Sequence, residues 1–175
     1  MEGDGNRGNK VPYKGYRFAN KSKFDSSIYN KVIDPDYFYE LIGVYLVDKH
    51  FTKISSDSGP SVIQVLQFYP DGKVRRFAKT GANPNPEVDG LRGVIYKRKK
   101  KIKIDIFEGV SGGGDMAIVT SRVMVEGDRL YLLEYPPLID YIFIINYIFP
   151  NEIPCDVYEK KEKVPEEWKK YKPDW

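Results

Sequence analysis

The sequence is poor in the residues that build metal and redox chemistry. Its 175 residues contain one cysteine, Cys155, and one histidine, His50. A single cysteine excludes a disulfide within the chain, and a single histidine excludes a His-rich metal site. Charge of one sign is also lacking. Lys and Arg number 28 against 25 Asp and Glu, a formal net charge of +3. A balance this close needs neither nucleic acid nor anionic lipid to explain it. Long hydrophobic runs are missing too. The longest, Leu138 to Phe149, is twelve residues, broken by Asp140 and Asn146 and bounded by prolines. A bilayer span needs about 20 residues, so no transmembrane segment is expected and this stretch reads as core or as an apolar flap. What the chain does have is aromatic area: 14 Tyr, 9 Phe and 2 Trp within 41% hydrophobic residues. That is enough for a core and excludes a wholly disordered chain.

The chain divides into a flexible N-terminal arm at 1–31, a β-rich body at 32–163 and a C-terminal helix and tail at 164–175. Residues 1–11 read as disordered, and the aromatics from Tyr13 to Tyr29 are expected to press onto the body. Met1 to Asn6 has no basic stretch followed by an apolar one, which points to the cytoplasm. The Gly-, Asn- and charge-rich first ten residues also resemble the tether behind a removed export signal in a bacterial lipoprotein, and both compartments stay open. Asp34-Pro35-Asp36 signals one helical turn, with Asp at N-cap and Pro at N1. Beyond it the periods are short. Pro70-Asp71-Gly72-Lys73 is a hairpin turn between strands. Lys101 to Ile106 alternates strictly, as a half-buried strand does. Thr80 to Gly90 is too rich in Pro and Gly for a regular element. Eight short strands at hairpin spacing predict an antiparallel barrel, the size at which an interior just fills or holds one small ligand. Val164 to Tyr171 predicts a short helix, Trp168 and Tyr171 packing on the barrel wall.

Three short motifs carry a resemblance. Gly43-Val44-Tyr45 resembles the lipocalin Gly-x-Trp signature, with Tyr in place of Trp. Phe68 to Val74 resembles a hairpin of small bacterial lipocalin-like domains, and Gly127-Asp128-Arg129-Leu130 a late hairpin of the same group. From Tyr39 to Lys161 the chain is similar to a lipocalin-like (calycin-type) β-barrel. The resemblance implies a barrel with a place for a small apolar molecule and implies no enzyme chemistry.

The catalytic motifs are weak. Gly109-Val110-Ser111-Gly112-Gly113 matches a nucleophile elbow in letters, but a strand follows it where a helix is required. Gly112-Gly113-Gly114-Asp115 lacks the helix and lysine of a phosphate cradle. Glu108 and Asp115 flank one loop and read as solvated acids. His50 reads as a surface residue at a strand end. Lys97 to Lys101 with Lys103 places six cations in seven residues, with Arg75, Arg76 and Arg92 expected nearby. Such a tip would suit single-stranded nucleic acid, but a solvated tip that prevents edge pairing explains it as well, and no nucleic acid is expected. The stretch 138–149 completes the core or mouth, or else docks a protein partner, membrane surface or lipid.

The expected fold is therefore an eight-stranded antiparallel lipocalin-like barrel with a short C-terminal helix. The expected function is non-enzymatic: holding a small apolar or amphipathic ligand in the mouth, without cofactor or metal. Tyr45, Phe68, Phe77, Ile104 and Leu132 are the expected lining, with Tyr141 and Phe143 as a lid. The alternative is a filled barrel without ligand, acting as a structural or protein-interaction domain of the cell envelope.

Overall fold

The structure, a computed structural model, describes residues 18–56, 59–60, 62–109, 116–135 and 152–175. A 3-10 turn at Lys21–Lys23 and a short helix α1 (Ser27–Lys31) lead into the strands: β1 (Tyr37–Val47), β2 (Lys53–Ser56), β3 (Gln64–Phe68), β4 (Lys73–Ala78), β5 (Leu91–Arg98), β6 (Lys101–Gly109), β7 (Met116–Glu126), β8 (Arg129–Tyr135) and β9 (Ile153–Lys163). A one-turn helix α2 (Glu166–Lys169) follows. Every pairing is antiparallel, and neighbours from β3 to β9 follow chain order. β1 then pairs with β9 along its whole length, from Tyr37↔Lys163 to Val47↔Ile153, and with β3 at Tyr39 and Glu40. Eight strands thus form a closed barrel. The short β2 is an addition that sequence reading does not anticipate. It pairs with β1 at Tyr45 to Val47, above the point where β3 meets the same strand.

Strand parity separates the inner face from the outer. Tyr39 and Leu41, Leu66 and Phe68, Val74, Ile95, Ile104 and Ile106, Val123, Leu130 and Leu132, and Tyr158 form one buried cluster, the barrel interior. Gly93 belongs to the same phase, opposite Ile106, and a side chain there would drive a Cβ to 2.5 Å from the Asp105 carbonyl oxygen. Glycine is what lets β5 and β6 approach so closely.

One end of the barrel carries the tight turns 69–72, 99–100 and 127–128, and it is plugged. Ile28 of α1 and Ile33 just after it are 0% and 1% exposed and join the interior cluster. Tyr29 stacks edge-on to Phe68 at 6.4 Å and its hydroxyl donates to the Tyr69 carbonyl at 2.8 Å. Burial holds that phenol far above its ordinary pKa, so it stays a donor. Gly72 sits at φ 82° with the Phe24 ring against it, a position no side chain could share. Of the expected arm, residues 1–17 lie outside the described residues, and 18–31 form this plug and its approach. The helical turn expected at Asp34 is instead a turn in which the Asp34 carboxylate accepts from the Asp36 amide at 3.0 Å, and β1 begins directly after it.

The outer wall is coated as well. Trp168 of α2 packs on Phe38 and Phe77, with ring centroids 5.3 and 5.8 Å away, over a patch completed by Val65 and Val164. Trp175 covers Val94 and Tyr96 with Phe18, and its indole N–H donates to the Gly93 carbonyl at 2.8 Å. The helix is shorter than Val164 to Tyr171, with Pro165 at its N-cap, and Tyr171 is 40% exposed rather than packed. Phe51, from the β1–β2 turn, lies against Val47, Leu133 and Cys155.

These coats have measurable weight. Ile28→Ala should destabilise the fold by about 2–5 kcal/mol, since it opens a void where the plug meets the axis. Trp168→Ala should cost about 3–5 kcal/mol through the outer patch alone. Urea denaturation of each variant checks both, and Ile28→Val should cost much less than Ile28→Ala.

Candidate functional site at the loop end of the barrel

The opposite end of the barrel is the end from which the longer connections leave, including loop 79–90. Its interior differs chemically from the plugged end. Arg76 shares the inward phase of β4 with Val74, opposite Leu66 and Leu91, and is 7% exposed. Glu108 shares the inward phase of β6 with Ile106. The two reach past β5 to form an ion pair whose side chains are 8% and 14% exposed. Ser121, opposite Ile104, is 4% exposed, and the Tyr158 hydroxyl points to Gln64 at 3.5 Å. The interior is thus an apolar floor beneath a polar upper layer. A guanidinium can be taken from water only against a counter-charge, and Glu108 supplies one.

The expected lining residues divide. Phe68, Ile104 and Leu132 face the axis and are 2%, 0% and 0% exposed. Phe77 faces outward, opposite Val65, beneath Trp168. Tyr45 also faces outward, opposite Cys155, with the Lys53 ammonium 3.9 Å above its ring. Neither Phe77 nor Tyr45 can line the interior, for two different reasons. In β4 every residue from Lys73 to Phe77 is buried, so alternation of polarity gives no clue to which phase faces in. Around Tyr45 the register shift between Leu41 and Gly43 reverses the phase set by Tyr39 and Leu41. Tyr141, Phe143 and the rest of 138–149 lie outside the described residues, as do residues 110–115 of the Gly-rich loop.

The arginines expected beside the basic tip are elsewhere. Arg75 and Arg92 stand opposite each other on the outer face, 0% and 4% exposed. Two cations so placed repel, and each is neutralised separately. Arg75 pairs with Asp89, donates to the Asn83 carbonyl at 2.8 Å and lies 4.4 Å over the Phe77 ring. Burial lowers its pKa, against which Tyr69 acts. Arg92 reaches Glu87 at 2.7 Å, Asp174 at 3.7 Å and the Trp175 ring at 5.1 Å. This cluster ties loop 79–90 and the C-terminal tail to the wall. His50 is exposed, with its amide donating to Asp48 at 2.7 Å. Among the described residues no group of three His, Cys, Asp or Glu side chains converges as a metal site would, and no helix is long and apolar enough to cross a membrane.

Comparison with family models, with curated proteins and with solved structures finds no match to this chain. The class that the geometry defines is a closed eight-stranded antiparallel barrel, plugged at one end and polar within the other.

Sequence reading missed Arg76 and Glu108 as a pair. The faint signal was a charged residue in phase with an aliphatic one, Val74 with Arg76 and Ile106 with Glu108. The pair makes a specific stability prediction. Glu108→Gln removes a buried counter-charge from the guanidinium and should cost about 3–5 kcal/mol, whereas the double variant Arg76→Met/Glu108→Leu should recover most of that loss. Chemical denaturation of the three proteins tests it.

Proposed function

We propose that this protein is a non-enzymatic, lipocalin-like binding module that holds a small amphipathic molecule at the loop end of its barrel. The observation that carries this reading is the Arg76–Glu108 ion pair set inside the barrel above an apolar floor. An amphipathic ligand would rest its tail on Ile106, Leu66 and Leu132 and present a polar head to that pair. An anionic head would exchange with Glu108 for the guanidinium, a charge-assisted contact with two parallel N–H donors. The filled floor limits the ligand to the mouth, because Tyr39, Phe68 and Tyr158 meet near the axis with Ile28 beneath them.

That same floor favours the second reading, a filled barrel with a structural or protein-interaction role in the cell envelope. The two separate by titration. A medium-chain fatty acid should displace an amphipathic reporter dye with a Kd on the order of micromolar, about −8 kcal/mol. Arg76→Leu should weaken the acid by about 10- to 100-fold while leaving the corresponding fatty alcohol nearly unchanged. Failure of acid, alcohol and dye alike to bind would leave the filled barrel as the reading that stands.

A further inference from the structure

The β5–β6 hairpin ends in a turn, Lys99–Lys100, flanked by Arg98 paired opposite Lys101. Two residues along β6, Lys103 stands opposite Arg122 of β7. The Arg122 guanidinium donates to the Lys49 carbonyl at 3.2 Å, which draws Lys49 to the same surface. Like charges directly opposite on neighbouring strands repel, and here two such pairs lie close together on the outer wall. Elsewhere on the wall cations meet an acid or an aromatic ring, with Lys53 over Tyr45 and Lys163 over Tyr37. Arg75, Arg92, Lys73, Lys79, Arg129, Lys160 and Lys169 each meet an acid. Among the described residues, no acid pairs with Arg98, Lys99, Lys100, Lys101, Lys103 or Arg122; the one neighbouring lysine that does find an acid is Lys97, 3.2 Å from Asp25.

The turn adds a second, independent oddity. Lys99 occupies the left-handed region at φ 58°, where glycine or asparagine sits at less cost. Its side chain is exposed and gains no packing from the position. The two-residue loop itself demands a positive φ at this position, so what the fold leaves unexplained is the choice of lysine over glycine or asparagine. Edge protection is not the reason. The β1–β9 pairing closes the ring, so β5 and β6 are paired on both sides and offer no edge to protect.

We propose that this face, from Lys99 and Lys100 at the tip to Lys103 and Arg122 on the wall, docks on an anionic lipid bilayer. The shape selects the partner. A hairpin tip is convex and meets a plane of negative headgroups without a groove. Single-stranded nucleic acid needs exposed rings for its bases to stack on, and the nearest aromatics do not serve: Tyr96 is 2% exposed and Phe51 lies beneath the Arg122 guanidinium at 5.0 Å. The near-zero total charge does not oppose this, since exposed charges beyond about 10 Å are screened at physiological salt and the local field governs docking. The face lies at the plugged end and on the side wall, so docking leaves the loop end free and does not depend on a ligand there.

Co-sedimentation of the full chain with phosphatidylcholine vesicles, with and without added phosphatidylserine, tests the proposal. Binding should require phosphatidylserine and fall steeply with salt. Lys99→Gly should raise the thermal midpoint by relieving the left-handed backbone and weaken vesicle binding roughly fivefold, so a loss of binding cannot be laid to misfolding. The triple variant Lys99→Gly/Lys100→Gln/Lys101→Gln should weaken it on the order of 100-fold. No binding to phosphatidylserine vesicles at low salt would overturn the proposal. So would binding that the triple variant leaves intact, or tighter binding to an oligonucleotide than to the vesicles.

Discussion

The ladder between β1 and β9 is the contact on which the rest of the molecule depends. It joins strands more than a hundred residues apart and turns a meander of hairpins into a ring. Until it forms, β1 and β9 are open edges, and the inner faces of eight strands have no shared axis to bury toward. Once it forms, inward residues from every strand meet in one cluster, and the plug at Ile28 and Ile33 has a mouth to fill. The irregularities tolerated in it, at Tyr37/Tyr39 and Leu41/Gly43, let two long strands curl enough to close the wall.

Charge is handled in two distinct ways. Inside, the Arg76 guanidinium is matched by the Glu108 carboxylate at the end away from the plug. Outside, a row of basic residues on β4 and β5 is sunk beneath a loop and the tail, each cation against its own acid or aromatic ring. Arg75 is fully buried on an outward-facing position, which is possible only because Asp89, the Asn83 carbonyl and Phe77 replace its water. The wall therefore has two dry faces over part of its circumference, and the outer one is held by polar bonds as well as by the apolar patches under Trp168 and Trp175.

That double coating explains what could be read from the sequence and what could not. The strands were legible because turn residues punctuate them: Gly72 and Gly127 both adopt positive φ, at 82° and 57°, where the hairpins need them. The β6 strand was legible because Ile102, Ile104 and Ile106 alternate with Lys103 and Asp105. Closure followed from the number of strands and the absence of long helices. Orientation was not legible where both sides of a strand are covered. Phe77 and Val74 are both apolar and both buried, and only the position of Trp168 far along the chain decides between them. The short β2 was hidden for a different reason: Lys-Ile-Ser-Ser carries no alternation, and its pairing is fixed by the turn before it. The candidate site was the least legible part. Arg76 reads as one of a pair of surface cations and Glu108 as a loop acid until the register puts both on the inward phase.

The placement of the tryptophans has one more consequence. Trp168 and Trp175 are the chain's two indoles, and both sit on the outer wall, while the rings of Tyr39 and Tyr158 turn inward. Indole emission is therefore blind to what happens along the axis and sensitive to whether the tail is seated. The molecule carries its own optical gauge of its clasp, separate from the spectroscopy of its interior.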